Sequence, residues 1–295
     1  MAVPFILDMN FDYGAPQQVS PLIRRVMSNN PGPFTFRGTG VYIIGRGDVA
    51  VIDPGPDQPG QFDMLKRALD GERVTHIFVT HGHLDHSPMA RPLAEFAGAK
   101  VYASGSPIRP GATGEEGDDL AFRPDVALKD GAKFSGPGWT LEAIATPGHA
   151  SDHFCFALPE ENALFSGDHI MGWSTSVIAP PDGDMGAYLK SLEKIQKRNF
   201  DILWPTHGPP VTNTQRFINA LIGHRLFRER QILDKLAAGP AAIPAMVEAF
   251  YAGVDKRLHA AASLSLLAHM LRLIDLGKVK SDGAPDLNAT YALKR

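Results

Sequence analysis

The sequence predicts an α+β protein: a strand-dominated body of residues 1–213 followed by a helical tail of residues 214–295. Three observations carry this. Short β-rich runs recur between glycine turns in the first half of the chain. Turns bearing histidine or aspartate follow several of those runs directly. From about Thr214 the pattern changes to long helical runs that end in two short strands. Three helices and then a β-hairpin is the order of a winged helix.

The elements follow in turn. "GVYIIG" and "VAVIDPG" read as strands joined at Arg46-Gly47-Asp48, a hairpin signal. "QFDMLKRALDG" is an amphipathic helix ending at Gly71. "VTHIFVTH" is a buried strand that runs straight into a loop crowded with histidine. "SPMARPLAEFAGA" then reads as a helix capped by Ser87 with Pro88 at its first position. "KVYAS" is the next strand. Residues 104–120 show no apolar periodicity and read as a long loop of the kind that forms lids or substrate rims. "WTLEAIATPGH", "HFCFALP" and "NALFSGDHI" are further strands, followed by a helix at "MGAYLKSLEKIQKR" and a short strand at "ILWPTHG". In the tail, "QRFINALIGHRLFRERQILDKLAAG" is a long helical run with a break expected near Gly223. "AAIPAMVEAFYAG" and "RLHAAASLSLLAHMLRLIDLGKV" are the other two helices, and "KVKSDGAPDLNATYALKR" is the hairpin.

Composition sets bounds. The 295 residues have room for one large domain or a large one with a small one. An apolar share of 44% is enough for a real core. Net charge is −3, so bulk charge does not mark a polyanion binder. The charge is uneven, however. Residues 1–213 hold 17 Lys+Arg and 25 Asp+Glu, a balance of −8, and residues 214–295 hold 12 and 7, a balance of +5. The single cysteine, Cys155, lies in an alternating strand run and reads as a small core residue; with no disulfide possible within the chain, a reducing, cytoplasmic setting is expected. The N-terminal run lacks the basic stretch of a signal peptide, and no apolar run is long enough for a membrane span.

The loop "THGHLDH" brings together His81, His83, Asp85 and His86, and three later turns add His149, Asp168 and His207. Neutral imidazole nitrogen and carboxylate oxygen are good ligands for first-row metals, zinc above all. Seven such side chains exceed one tetrahedral ion and suit two ions that share a carboxylate. In extended chain, residues two apart face the same way, so His81 and His83 can grip one ion together. The expected assignment is His81, His83 and His149 on metal 1, Asp85, His86 and His207 on metal 2, and Asp168 between them.

At these residues the chain resembles the metallo-β-lactamase fold superfamily, with "THGHLDH" as the hallmark and a likeness running from about Gly32 to Gly208. The resemblance implies a four-layer αββα sandwich with metals where strand-end loops converge. "NPGPFTFRGTGVYIIG", "VIDPGP", "LFSGDHIMGWST" and "APPDGDMGAYLKSLEKI" further resemble the β-lactamase-like protein 2 group. Members of that group carry a winged-helix-like C-terminal domain that begins with a pattern like "HRLFRERQIL", His224 to Leu233 here. Gly40-Val41 departs from the Asn-Thr of many relatives.

The chemistry expected is hydrolysis by a hydroxide shared between two zinc ions, with iron or manganese as alternatives. Two metals about 3.5–4 Å apart lower the pKa of shared water towards ~7. Asp85 is the expected catalytic group: it orients the hydroxide while ligating metal 2. No Gly-x-Ser-x-Gly turn is present and no covalent intermediate is needed. Asp53, at a strand end, is a candidate acceptor for a ligand histidine's second N–H. Asp152 and His153 are candidates for supporting or lining the site, and Trp173 and Ser174 for a substrate wall. His169 is expected to point away, while His224, His259 and His269 read as structural. The first expectation for the substrate is a small thioester, ester or lactone. The second is single-stranded RNA or DNA, cut by an endonuclease whose basic tail holds the phosphates. A third reading, a non-catalytic winged-helix nucleic-acid binder with structural metals, has the complete ligand set against it. The apolar tail could also form a homodimer surface.

Overall fold

A computed structural model of the chain describes residues 2–105, 117–253 and 255–294. The first strands are β1 (Gln17–Gln18), β2 (Ile23–Met27), β3 (Gly40–Ile44) and β4 (Asp48–Ile52), and helix α1 (Gln61–Ala68) leads to β5 (Arg73–Phe78). After helix α2 (Ala90–Ala97) come β6 (Lys100–Ala103) and β7 (Val126–Ala127). These strands form one sheet in sequence order, antiparallel from β1 to β4 and parallel from β4 to β7. A second sheet has the order β12-β11-β10-β9-β8. Its strands are β8 (Lys133–Gly136), β9 (Trp139–Ala145), β10 (Phe154–Leu158), β11 (Ala163–Gly167) and β12 (Ile202–Pro205). Helix α3 (Met185–Gln196) links β11 to β12, and this crossover lets the two strands run parallel.

Period-two alternation sorts the side chains into layers. On β4, Val49 and Val51 face α1 and α2, while Ala50 and Ile52 face the second sheet. On β10, Phe154, Phe156 and Leu158 meet that inner face, while Cys155 and Ala157 turn outward against α3. Three apolar clusters therefore fill the spaces of an αββα sandwich, as the sequence resemblance implied. Each fully buried side chain such as Ile52 or Phe156 contributes roughly 1.5–3 kcal/mol through burial.

The tail contains helix α4 (Thr214–Ala237), a two-residue strand β13 (Ala241–Ala242), helices α5 (Ile243–Phe250) and α6 (His259–Asp275), and the strands β14 (Val279–Ser281) and β15 (Thr290–Leu293). A small sheet of order β13-β15-β14 closes on α5 and α6 around Met246, Leu266, Met270 and Tyr291. Helix α4 serves two cores. Phe217, Ile218 and Leu221 pack with α3, and Ile232 and Leu236 pack with the tail. No helix among the described residues is long and apolar enough to cross a membrane.

Several sequence expectations change. The helix expected from Ser87 begins at Ala90, and Ser87 is not its cap. The Met89 N–H is tied to the Gly55 carbonyl, and the Ser87 hydroxyl donates to the His83 carbonyl 3.0 Å away, so residues 86–89 form a turn. No break occurs at Gly223: α4 is continuous, because packing at both of its ends outweighs the ~1 kcal/mol helix cost of one glycine. Strand β2 was not read from the sequence, since Arg24 and Arg25 interrupt its apolar run; both are buried, with Arg24 paired to Glu72 at 2.7 Å. Of the loop at 104–120, residues 106–116 lie outside the described residues.

Cys155 is fully buried, and burial pushes its thiol up to about 12. It is expected to resist thiol reagents at pH 8 until the protein unfolds, as an Ellman titration with and without denaturant will show.

Candidate metal centre

Strand β5 lies between β4 and β6, and the chain leaving it turns to present the histidine loop at the ends of the strands. Three ties hold this loop. The Gly82 N–H donates to Asp152 Oδ2 at 2.9 Å, the Leu84 N–H to the Gly117 carbonyl at 2.7 Å, and the Asp119 N–H to the Gly82 carbonyl at 2.7 Å. His149 enters from the turn after β9, Asp168 from the end of β11 and His207 from the end of β12. All seven side chains expected as ligands thus meet at one end of the sandwich.

Their donor atoms group in threes within 4.8 Å: His81 with His83 and His149, Asp85 with His86 and His207, and His81 with His86 and Asp168. His81 Nε2 lies 2.8 Å from His83 Nδ1. Asp168 sits between the first two groups, with Oδ2 at 3.8 Å from His149 Nε2 and 3.5 Å from His207 Nε2. Its Oδ1 is 3.7 Å from His86 Nε2. Asp85 Oδ2 is 2.9 Å from His207 Nε2.

The outward-facing nitrogens are all engaged. His86 Nδ1–H donates to Asp53 Oδ2 at 2.9 Å, His149 Nδ1–H to the Val177 carbonyl at 2.6 Å, and His207 Nδ1–H to the Gly38 carbonyl at 3.1 Å. His81 Nδ1–H donates to the Thr80 hydroxyl at 3.0 Å, which itself donates to Asp53 Oδ2. These bonds fix the tautomer that leaves Nε2 bare. The bare atoms are buried: His86 Nε2, His149 Nε2 and Asp168 Oδ1 have no hydrogen-bond partner, and His207 Nε2 meets the Asp85 carboxylate. Orphaned buried polar atoms are costly, and several converging on one space are a cradle for a cation.

The first triad is mixed in its electrostatics: burial opposes charge on His83, but Asp118 and Asp85 outweigh it and raise this imidazole, whereas its two partners are lowered. Burial, with His86 and His83 nearby, holds His81 well below the usual imidazole range, and burial brings His149 down to about 4. Burial also opposes charge on His86, but the carboxylates of Asp85, Asp53 and Asp168 outweigh it and raise this imidazole well above its ordinary value. Asp168 and Asp85 lift His207 in the same way. Asp85 is held far below the carboxylate range, because His86 and His207 outweigh its burial.

The other candidates take varied places. Asp53, fully buried at φ +50°, accepts from the Thr80 N–H, the Thr80 and Thr206 hydroxyls and His86. Burial raises Asp152 to about 6, and it braces Gly82. His153 lies beneath the histidine–aspartate cluster, its Nε2 accepting from the Asp168 N–H at 3.2 Å, and is buried. Trp173 stacks on Phe36 at 4.9 Å and 15°, beside Gly208, where a Cβ would come within 2.6 Å of the indole. The Ser174 hydroxyl donates to the Thr175 carbonyl at 3.3 Å, within its own loop. His169 points into the core against Tyr188. His269 lies 3.4 Å from Glu229 in the tail.

Thr80 and Thr206 escaped the sequence reading, although a shared Thr-His pair, before His81 and before His207, was available as a signal. The Gly38 and Val177 carbonyls carry no side-chain signal at all. Asp118, 3.4 Å from His83 Nε2, was hidden in the polar loop.

Residues 35–207 match the metallo-beta-lactamase superfamily. The chain belongs to that superfamily. Residues 242–286 match the beta-lactamase associated winged helix domain. The lactamase-like protein adaB of Aspergillus niger is 29% identical over 94% of this chain and 88% of its own length. The atrochrysone carboxyl ACP thioesterase AgnL7 of Paecilomyces divaricatus is 34% identical over 75% of this chain and 66% of its own. A beta-lactamase domain protein from Burkholderia ambifaria shares the fold with a TM-score of 0.83 at 20% identity, covering 97% of this chain and 95% of that one. The chain is accordingly a hydrolase of the metallo-β-lactamase superfamily, with a histidine–aspartate cluster fit for divalent metal. That sets aside the non-catalytic reading.

Proposed function

We propose that this chain is a binuclear zinc hydrolase whose substrate is a small acyl compound, a thioester first among them. The observation that carries the reading is the set of buried, partnerless Nε2 atoms facing Asp168. His81 Nε2, His83 Nδ1 and His149 Nε2 would hold one ion, and Asp85, His86 Nε2 and His207 Nε2 the other, with Asp168 shared. Bound there, the ions would bring the pKa of water towards ~7 and polarise the substrate carbonyl. Asp85, 27% exposed among buried imidazoles, is the group of the second triad that meets the cleft, where it would orient the attacking water and help move its proton. Cys155 offers no rival nucleophile, being sealed in the core with a raised pKa.

The rim supports an acyl substrate. Phe36, held at φ +56°, stacks on Trp173 to make an aromatic wall beside His207. Phe34, Leu84 and Leu120 are each about half exposed on the segments that hold His207 and His83. Relatives named as atrochrysone carboxyl ACP thioesterases point the same way. The winged-helix match and the +5 tail keep the nuclease reading as the alternative. Against it, α6 carries a single arginine or lysine, Arg272, which is paired with Glu229, and only Ala260 and Asp275 are well exposed along it, a poor surface for reading a groove.

A side-by-side assay of the zinc-loaded protein on acyl thioesters, lactones and single-stranded RNA, with Asp85→Ala as blank, tests the reading. Thioester turnover far above the blank is expected. RNA cleavage without acyl turnover would overturn it.

A pH signature follows from the two triads. In the Asp85 triad both imidazoles, His86 and His207, are raised by the carboxylates around them, so protons compete with a cation at both; in the other triad only His83 is raised, while burial lowers His81 and His149. Zinc affinity of the Asp85 triad is therefore expected to fall more steeply as pH drops. Calorimetric titration in buffers of different ionisation enthalpy will count the protons released at each step.

A further inference from the structure

The loop after Asp168 carries two supports of the metal centre. The Ser176 hydroxyl, with one O–H to give, donates to the Asp168 carbonyl at 2.5 Å and also has the His169 carbonyl within reach at 2.9 Å, which fixes the backbone that aims Asp168. The next residue, Val177, supplies the carbonyl that orients His149. The peptide between these residues is gripped from the tail side: Arg225 Nη2, on α4, donates to the Ser176 carbonyl at 2.5 Å.

Arg225 is 3% exposed, and its guanidinium lies over the Tyr188 ring with 5.2 Å to the centroid. Tyr188 in turn abuts the chain before His149. A Cβ at Gly148, where φ is +146°, would fall 2.3 Å from Tyr188 Cα, so only glycine lets α3 approach this closely. One side chain of α4 thus presses on both routes to His149, the carbonyl of Val177 and the backbone at Gly148, and on the loop that aims Asp168.

We infer that Arg225 is a positioning residue for the metal centre, through which the first helix of the tail holds His149 and Asp168 in ligating geometry. A planar guanidinium suits the task, since it can stack on Tyr188 while donating in its own plane. The inference rests on the metal reading above. It gives the tail a role in the hydrolase that needs no nucleic acid.

The test uses full-length protein, stripped of metal and titrated with zinc against a chromogenic chelator. Arg225→Met is expected to weaken zinc affinity by about tenfold or more. It is also expected to shift or broaden the His149 Nδ1–H signal in the NMR spectrum of the metal-free protein. Arg225→Lys, which keeps the charge but loses the planar stack, should fall between. Phe217→Leu loosens α4 against α3 without touching Ser176; it should lower the unfolding midpoint yet leave zinc affinity and the histidine signal unchanged. Wild-type affinity in Arg225→Met, or an equal loss in Phe217→Leu, overturns the inference. If Arg225→Met does not fold, unchanged affinity in Arg225→Lys overturns it alone. Wild-type protein that binds no zinc would instead defeat the metal reading itself.

Discussion

Replacing Asp85 with alanine is expected to lower kcat on an acyl substrate by roughly 10²–10⁴-fold, the span of a lost acid–base group. The loss arises at two atoms. One carboxylate oxygen faces His207 Nε2 at 2.9 Å and the other lies 3.5 Å from His86 Nε2, so the triad loses a ligand and its negative charge together. The fold should survive, because Asp85 is partly exposed and belongs to none of the apolar clusters. Circular dichroism and zinc content, read beside kcat, separate the outcomes. Asp85→Asn keeps the shape and loses the charge, and should be nearly as inactive. Activity surviving in both variants would remove Asp85 from the chemistry.

Asp53→Ala acts beneath the site and should cost both stability and metal. Its carboxyl group is fully buried and accepts four donors, from Thr80 twice, Thr206 and His86. Alanine leaves those donors without an acceptor and strands a His86 imidazole whose raised pKa depends partly on Asp53. Removing one partner from a buried charged pair costs about 3–5 kcal/mol. The loss of a carboxylate that orients a ligand histidine costs roughly 10–100-fold in metal affinity. Urea unfolding of the metal-free protein and chelator competition give the two numbers separately. A stability loss under about 1 kcal/mol would mean that the network does not depend on this side chain.

The sequence made the centre visible because its chemistry is local. His81, His83, Asp85 and His86 share one loop, and His149, Asp168 and His207 each follow a readable strand. The two-layer sheet core was legible from alternation, as in β10, where Phe154, Phe156 and Leu158 go one way and Cys155 and Ala157 the other. What escaped depends on partners distant along the chain. Ser87 reads as a helix cap until the tie from Met89 to Gly55 delays the helix. Gly223 reads as a break until the cores at both ends of α4 hold it straight. Strand β2 is masked by Arg24, whose charge is met by Glu72 far along the chain. The carbonyls of Gly38, Ser176 and Val177 have no residue identity to read, so neither the tautomers they fix nor the grip of Arg225 could be foreseen.

Metal stoichiometry tests the central claim most directly. Full-length protein, purified, loaded with zinc and freed of excess by gel filtration, is analysed for metal by plasma mass spectrometry. Two zinc ions per chain are expected, with one lost in Asp85→Ala. A wild-type chain that retains no transition metal, or retains a single ion however it is loaded, would contradict the account.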